Sequence, residues 1–67
     1  MITILLNNRV VNIDETISIS QLLHHENYPQ MGIAVAINQH IISKTNWEEQ
    51  LLQDGDKILI IQATQGG

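Results

Sequence analysis

Apolar and polar positions alternate from the start of the chain. Ile2, Ile4 and Leu6 take every second place, with Thr3 and Leu5 between them. A period of two is the mark of a strand with one buried face. Asn7-Asn8 follows, and asparagine tolerates the left-handed backbone that tight hairpins demand. Arg9–Ile13 then reads as a second strand, with Val11 and Ile13 on one face. The polar stretch Asp14–Thr16 breaks the pattern, and the period changes. Ile19, Leu22 and Leu23 fall at i, i+3 and i+4, the apolar stripe of a short helix. Ser18 and Gln21 have the spacing of a capping box at its start. The helix is expected to run to Glu26 or Asn27, with Pro29 marking the exit.

The second half of the chain returns to strand patterns. After Gly32, the run Ile33-Ala34-Val35-Ala36-Ile37 is short, apolar and β-branched at alternate positions, as a buried strand would be. Asn38-Gln39 turns the chain into a short strand, His40–Ile42. Thr45 and Glu48 have the spacing of a second capping box. They predict a helical turn containing Trp47, with Leu51 and Leu52 completing its apolar contacts. Asp54-Gly55 is a turn in which Gly55 supplies positive φ. Lys57–Ala63 is the last strand, and its Ile58-Leu59-Ile60-Ile61 centre is apolar on both faces, as in a central strand. Thr64-Gln65-Gly66-Gly67 is a polar tail ending in two glycines.

Strand, strand, helix, strand, short strand, helical turn, strand is the order of a two-layer α+β domain. The expectation is a mixed sheet of four to five strands packed on one helix over residues 1–63, followed by a flexible tail over 64–67. A chain of 67 residues holds one domain. It buries only about 60% of the surface of its unfolded form, so stability on the order of 3–10 kcal/mol is expected. One face of the sheet packs on the helix, and the other is left largely bare. If Ile58 and Ile60 face the helix, Leu59 and Ile61 face away, with Leu5 and Thr3 joining them. An exposed apolar patch of this kind marks a partner site.

Composition narrows the chemistry. Seven acids against three bases give a formal charge of -4, and Arg9, Lys44 and Lys57 are scattered. Nucleic acid and anionic membrane surfaces both require clustered bases, so neither is an expected partner. The chain has no cysteine, which excludes disulfides, zinc–thiolate sites and thiol nucleophiles. Its start reads as a strand and not as a signal peptide, and no apolar run spans a membrane. A cytoplasmic location is the expectation. His24 and His25 are adjacent, so on a helix they point about 100° apart and cannot form a zinc-binding i, i+4 pair. His24, His25 and His40 are expected to be solvent-exposed or partly packed. Glu48-Glu49 suits the first turn of a helix. Asp54 and Asp56 flank a turn, and Trp47 is a packing anchor. No nucleophile elbow, phosphate loop or dinucleotide motif is present. No catalytic residue and no metal site are expected.

The stretch Val35-Ala36-Ile37-Asn38-Gln39, then Ile41-Ile42, the Trp47 segment, Asp54-Gly55-Asp56 with Ile58-Leu59-Ile60, and the terminal Gly66-Gly67 together resemble one family across essentially the whole chain. It is the bacterial sulfur carrier of thiamine biosynthesis, the ThiS family of the ubiquitin-like β-grasp group. The family often has Asn-Gly where this chain has Asn7-Asn8, and proline where it has Ser43. The resemblance implies that the Gly67 carboxylate is adenylated and then converted to a thiocarboxylate. Gly66, with no Cβ, would give access to a narrow active-site channel. The four tail residues can extend roughly 13–14 Å, and no protease is needed if nothing follows Gly67. Implied partners are a ThiF-like adenylating enzyme, a sulfur donor system, and a ThiG-like thiazole synthase. No cofactor is bound, and ATP is used by the activating partner. Leu5, Leu59 and Ile61 would form the docking face. The protein would be a carrier and co-substrate, not an enzyme. Three alternatives remain open at this level: a MoaD-like small subunit of molybdopterin synthase, a ubiquitin-like modifier forming isopeptides through Gly67, and an interaction module with no tail chemistry.

Overall fold

A computed structural model of the chain describes residues 1–62. The hairpin at the start forms as the alternation predicts: β1 (Ile2–Leu6) pairs antiparallel with β2 (Arg9–Ile13), Leu6 opposite Arg9 and Ile2 opposite Ile13. Asn7 and Asn8 have φ of 50° and 67°, the two positive values of a type I′ turn. A second two-residue turn, Asn38-Gln39 with φ of 49° and 75°, joins β3 (Ile33–Ile37) to β4 (His40–Ile42) in the same way. Both turns have the backbone twist that matches the strands they connect.

Between the hairpins lies α1 (Ile19–His25). Its capping box is complete. The Gln21 N–H donates to Ser18 Oγ at 3.3 Å, and the Ser18 N–H donates to Gln21 Oε1 at 2.9 Å. The helix closes where expected, with Glu26 as its C-cap. Asn27 adopts φ of 63°, its N–H donates to the His24 carbonyl at 3.2 Å, and the Tyr28 N–H donates to the Leu23 carbonyl at 2.8 Å. This pair of bonds is a Schellman stop, with asparagine in the place glycine usually takes. Pro29 lies beyond a helix already closed.

The last strand, β5 (Lys57–Gln62), runs parallel to β1 and antiparallel to β3. The sheet order is β2-β1-β5-β3-β4, so β5 is central, as its two apolar faces predict. The expected final residue of this strand, Ala63, and the tail over 64–67 lie outside the described residues, as does the expectation that the tail is flexible. Ile4, Leu6, Ile13, Val35, Ile37, Ile58 and Ile60 pack with Ile19, Leu22 and Leu23 of α1 into one core, joined by Trp47 and Leu52. Ile19, Leu22 and Leu23 are completely buried. Each contributes about 1.5–3 kcal/mol relative to exposure.

The second predicted capping box does not form. Lys44–Asn46 is a single 3-10 turn preceded by Ser43, whose side chain makes no capping bond. Thr45 sits inside this turn and so lacks the extended backbone an N-cap requires. Glu48 and Glu49 therefore do not begin a helix; they are exposed in the turn that follows. What holds the segment is Trp47, buried to 3% exposure, whose Nε1 donates to the Ile42 carbonyl at 2.9 Å. Leu51 also departs from expectation. It is half exposed, and its backbone bridges to Ser18; Leu52 alone enters the core.

Candidate functional site

One face of the sheet packs on the helix, and among the described residues no layer covers the other. Registers fix which residues share the uncovered side. Ala36 lies opposite both Leu59 and Ile41, Ala34 opposite Ile61, and Leu5 opposite Val10 and beside Lys57. The outer face therefore carries an apolar band crossing all five strands: Val10, Leu5, Leu59, Ala36 and Ile41, with Ile61 next along β5. Leu59 is 48% exposed and Ile61 50%, while Leu5 is half-buried. Val10 and Ile41, at the two edges, are more exposed still. The structure thus places the three predicted docking residues Leu5, Leu59 and Ile61 on one surface. Val10 and Ile41 extend it; their apolar character was visible in the sequence, but their register was not. Lys57 puts one positive charge on this face, beside Leu5.

Other candidate groups have structural work. The Asp54-Gly55-Asp56 turn is stitched to β1 and to the turn between β3 and β4. The Thr3 N–H donates to Asp54 Oδ1 and the Gly55 N–H to the Thr3 carbonyl, both at 2.8 Å. Asp56 accepts from the Gln53 N–H at 2.8 Å and from Asn38 Nδ2 at 3.0 Å. Both carboxylates are thus engaged in holding loops, which is the role their flanking of a turn glycine suggests. His24, His25 and His40 are exposed. Among the described residues no group of three or more His, Asp or Glu side chains converges as a metal site would. Asp14 caps its own loop: Oδ1 accepts from the Thr16 hydroxyl and the Thr16 N–H at 2.8 Å or less. The hydroxyl bond, then the backbone bond, holds its carboxyl below the ordinary 3.8.

One residue does more than the sequence reading assigned to it. Asn7 was expected only to turn the hairpin. Its side chain also reaches β5: Ile60 N–H donates to Asn7 Oδ1 at 2.7 Å, and Asn7 Nδ2 donates to the Ile60 carbonyl at 3.2 Å. The same amide lies 3.4 Å from the Tyr28 hydroxyl. The signal available in the sequence was the asparagine itself, whose side-chain amide carries the donor and acceptor of a peptide group.

The predicted Gly66 and Gly67 lie outside the described residues. They follow β5, so Leu59, Ile61 and the glycine pair belong to one continuous segment of sequence.

A five-stranded mixed sheet with a parallel pair of first and last strands at its centre, crossed on one face by a single helix, is the ubiquitin-like β-grasp fold. The ThiS family model matches residues 4–67. The sulfur carrier protein ThiS of Escherichia coli (strain K12) is 36% identical over 64 residues, which cover 96% of this chain and 97% of that protein. The crystal structure of a thiamine biosynthesis protein (ThiS) from Geobacter metallireducens superposes with a TM-score of 0.82 at 19% identity, covering 98% of this chain and all of that one. A solution structure of a thiamine biosynthesis protein from the same organism gives 0.76 at 17% identity, covering 98% and 88%. The chain belongs to the ThiS family.

Proposed function

We propose that this protein is the sulfur carrier for thiazole formation in thiamine biosynthesis. In this reading the Gly67 carboxylate attacks the α-phosphorus of ATP on a ThiF-like adenylating enzyme, releasing pyrophosphate and forming an acyl-adenylate. A carboxylate is a poor electrophile, and AMP is a good leaving group. A sulfur donor system then displaces AMP and leaves a thiocarboxylate on Gly67. A ThiG-like thiazole synthase accepts the sulfur, and the carboxylate returns. ATP is consumed by the partner, and the carrier binds no cofactor of its own. Its part is to dock and to present the carboxylate, which makes it a co-substrate and not a catalyst.

The observation that carries this reading is the 36% identity to a named sulfur carrier over nearly the full length of both chains, with the family match running through Gly67. Two features of the fold support it. Leu5, Leu59 and Ile61 form an apolar face available to a partner, and Gly66 lacks the Cβ that would obstruct a narrow channel. The test is carrier-dependent exchange of pyrophosphate into ATP by the adenylating enzyme. Exchange that requires the full chain and is lost when Gly67 is deleted supports the proposal. Equal exchange with and without Gly67 contradicts it.

A further inference from the structure

The parallel ladder between β1 and β5 continues past the end of β1. Along this edge of β5, every second carbonyl finds a donor. Asp56 O accepts from the Leu5 N–H and Ile58 O from the Asn7 N–H, each at 2.9 Å. The next position is Ile60. By then the main chain has left, since Asn7 has φ of 50° and begins the type I′ turn. The Asn7 side chain takes over, with Nδ2 on the Ile60 carbonyl and Oδ1 on the Ile60 N–H. One primary amide thus does what the next peptide groups of β1 would have done, and extends the sheet by one more step. Beyond Ile60, the described part of β5 is paired to β3 alone, Ile61 opposite Ala34 and Gln62 opposite Ile33.

We infer that Asn7 is a positioning residue for the C-terminal half of β5: its side-chain amide sets where the β1 side of the ladder ends and so how firmly the strand that leads to Gly67 is held. This rests on the carrier reading above. Six residues separate Ile60 from Gly67, up to roughly 24 Å of chain over the seven steps. Loss of this hold frees one edge of β5 at Ile60 and loosens the strand from which that segment runs, and a misplacement of about 1 Å at a reacting group can cost on the order of a hundredfold in rate. Asn7 borders the hollow that Leu5 and Leu59 line, but its amide is committed to Ile60 and not to the surface. Its loss should therefore appear in the chemical step and leave docking unchanged.

The experiment compares the parent with Asn7→Gly and Asn8→Gly. Glycine adopts positive φ without strain, so both variants keep the turn, and only the first loses the amide. Two quantities are measured: hydrogen exchange at the Ile60 N–H, and kcat and KM for carrier adenylation by the activating enzyme. Asn7→Gly is expected to raise exchange at Ile60 by at least about fivefold, the factor equivalent to a lost hydrogen bond of about 1 kcal/mol. Exchange at Ile58 should stay unchanged. The variant should also lower kcat by on the order of tenfold or more, with KM within about twofold of the parent. Asn8→Gly should match the parent in both. Unchanged exchange at Ile60, an unchanged kcat, or a change confined to KM overturns the inference. Failure of the parent itself to be adenylated is a different result, and it counts against the carrier reading and not against the hold of Asn7 on Ile60.

Discussion

Replacing Leu59 and Ile61 by alanine separates docking from folding. In the free protein each side chain is about half exposed, at 48% and 50%. Full burial of a leucine or isoleucine contributes about 1.5–3 kcal/mol, so roughly half of that, about 0.7–1.5 kcal/mol per residue, is still available to a partner. At 1.4 kcal/mol per factor of ten, each alanine should weaken docking by roughly three- to tenfold, and the pair by roughly ten- to a hundredfold if they act independently. Leu59→Asp should do more, since docking would also strip water from a charge. Adenylation kinetics read this out as a rise in KM with kcat little changed, the opposite signature to Asn7→Gly. Met31, 76% exposed in the loop before β3, provides the control, and Met31→Ala should leave KM alone. Thermal unfolding and amide spectra verify that each variant keeps its fold. A folded Leu59→Ala/Ile61→Ala variant with KM within about twofold of the parent would refute the assignment of the outer face as the docking surface.

Two further outcomes follow from the geometry. Trp47→Phe removes the indole donor from the Ile42 carbonyl and should cost about 1–3 kcal/mol of stability, seen as a lower urea midpoint with m unchanged; a loss of adenylation without a loss of stability would instead make Trp47 a contact residue. Asp14→Ala removes the acceptor of two Thr16 bonds. Because the folded pKa of Asp14 is depressed below 3.8, its contribution is complete above about pH 5 and is lost as pH falls through the folded value. The difference in urea midpoint between parent and Asp14→Ala should be constant at neutral pH and shrink in acid, and a difference that grows in acid contradicts this sign.

Much of the fold was legible because local signals and global arrangement agree. The alternation in residues 2–13, the Ser18–Gln21 box and the doubly apolar β5 each specify their element through short-range physics, and the structure retains all three. The failures occur where tertiary contacts decide. The Thr45–Glu48 spacing looked like a cap, but the indole bond of Trp47 to Ile42 and its burial hold that segment as a 3-10 turn. The helix end falls at Glu26–Asn27 as expected, but the device that closes it, asparagine at positive φ, carries a weaker sequence signal than glycine. The outer face was partly legible. Period two placed Leu59 and Ile61 on one side, but only strand register brings Val10 and Ile41 into line with them. Asn7 was legible as a turn residue and not as a bridge to Ile60, because a contact spanning 53 positions leaves no local pattern.

The central claim is that the chemistry resides on Gly67. It is tested most directly by the intact mass of the full-length chain after incubation with ATP, the adenylating enzyme and a sulfur donor, with fragmentation to locate any change. The account predicts that one oxygen is replaced by sulfur, confined to Gly67 and dependent on ATP. An unchanged mass, or a chain joined through Gly67 to lysines of other proteins, would contradict it.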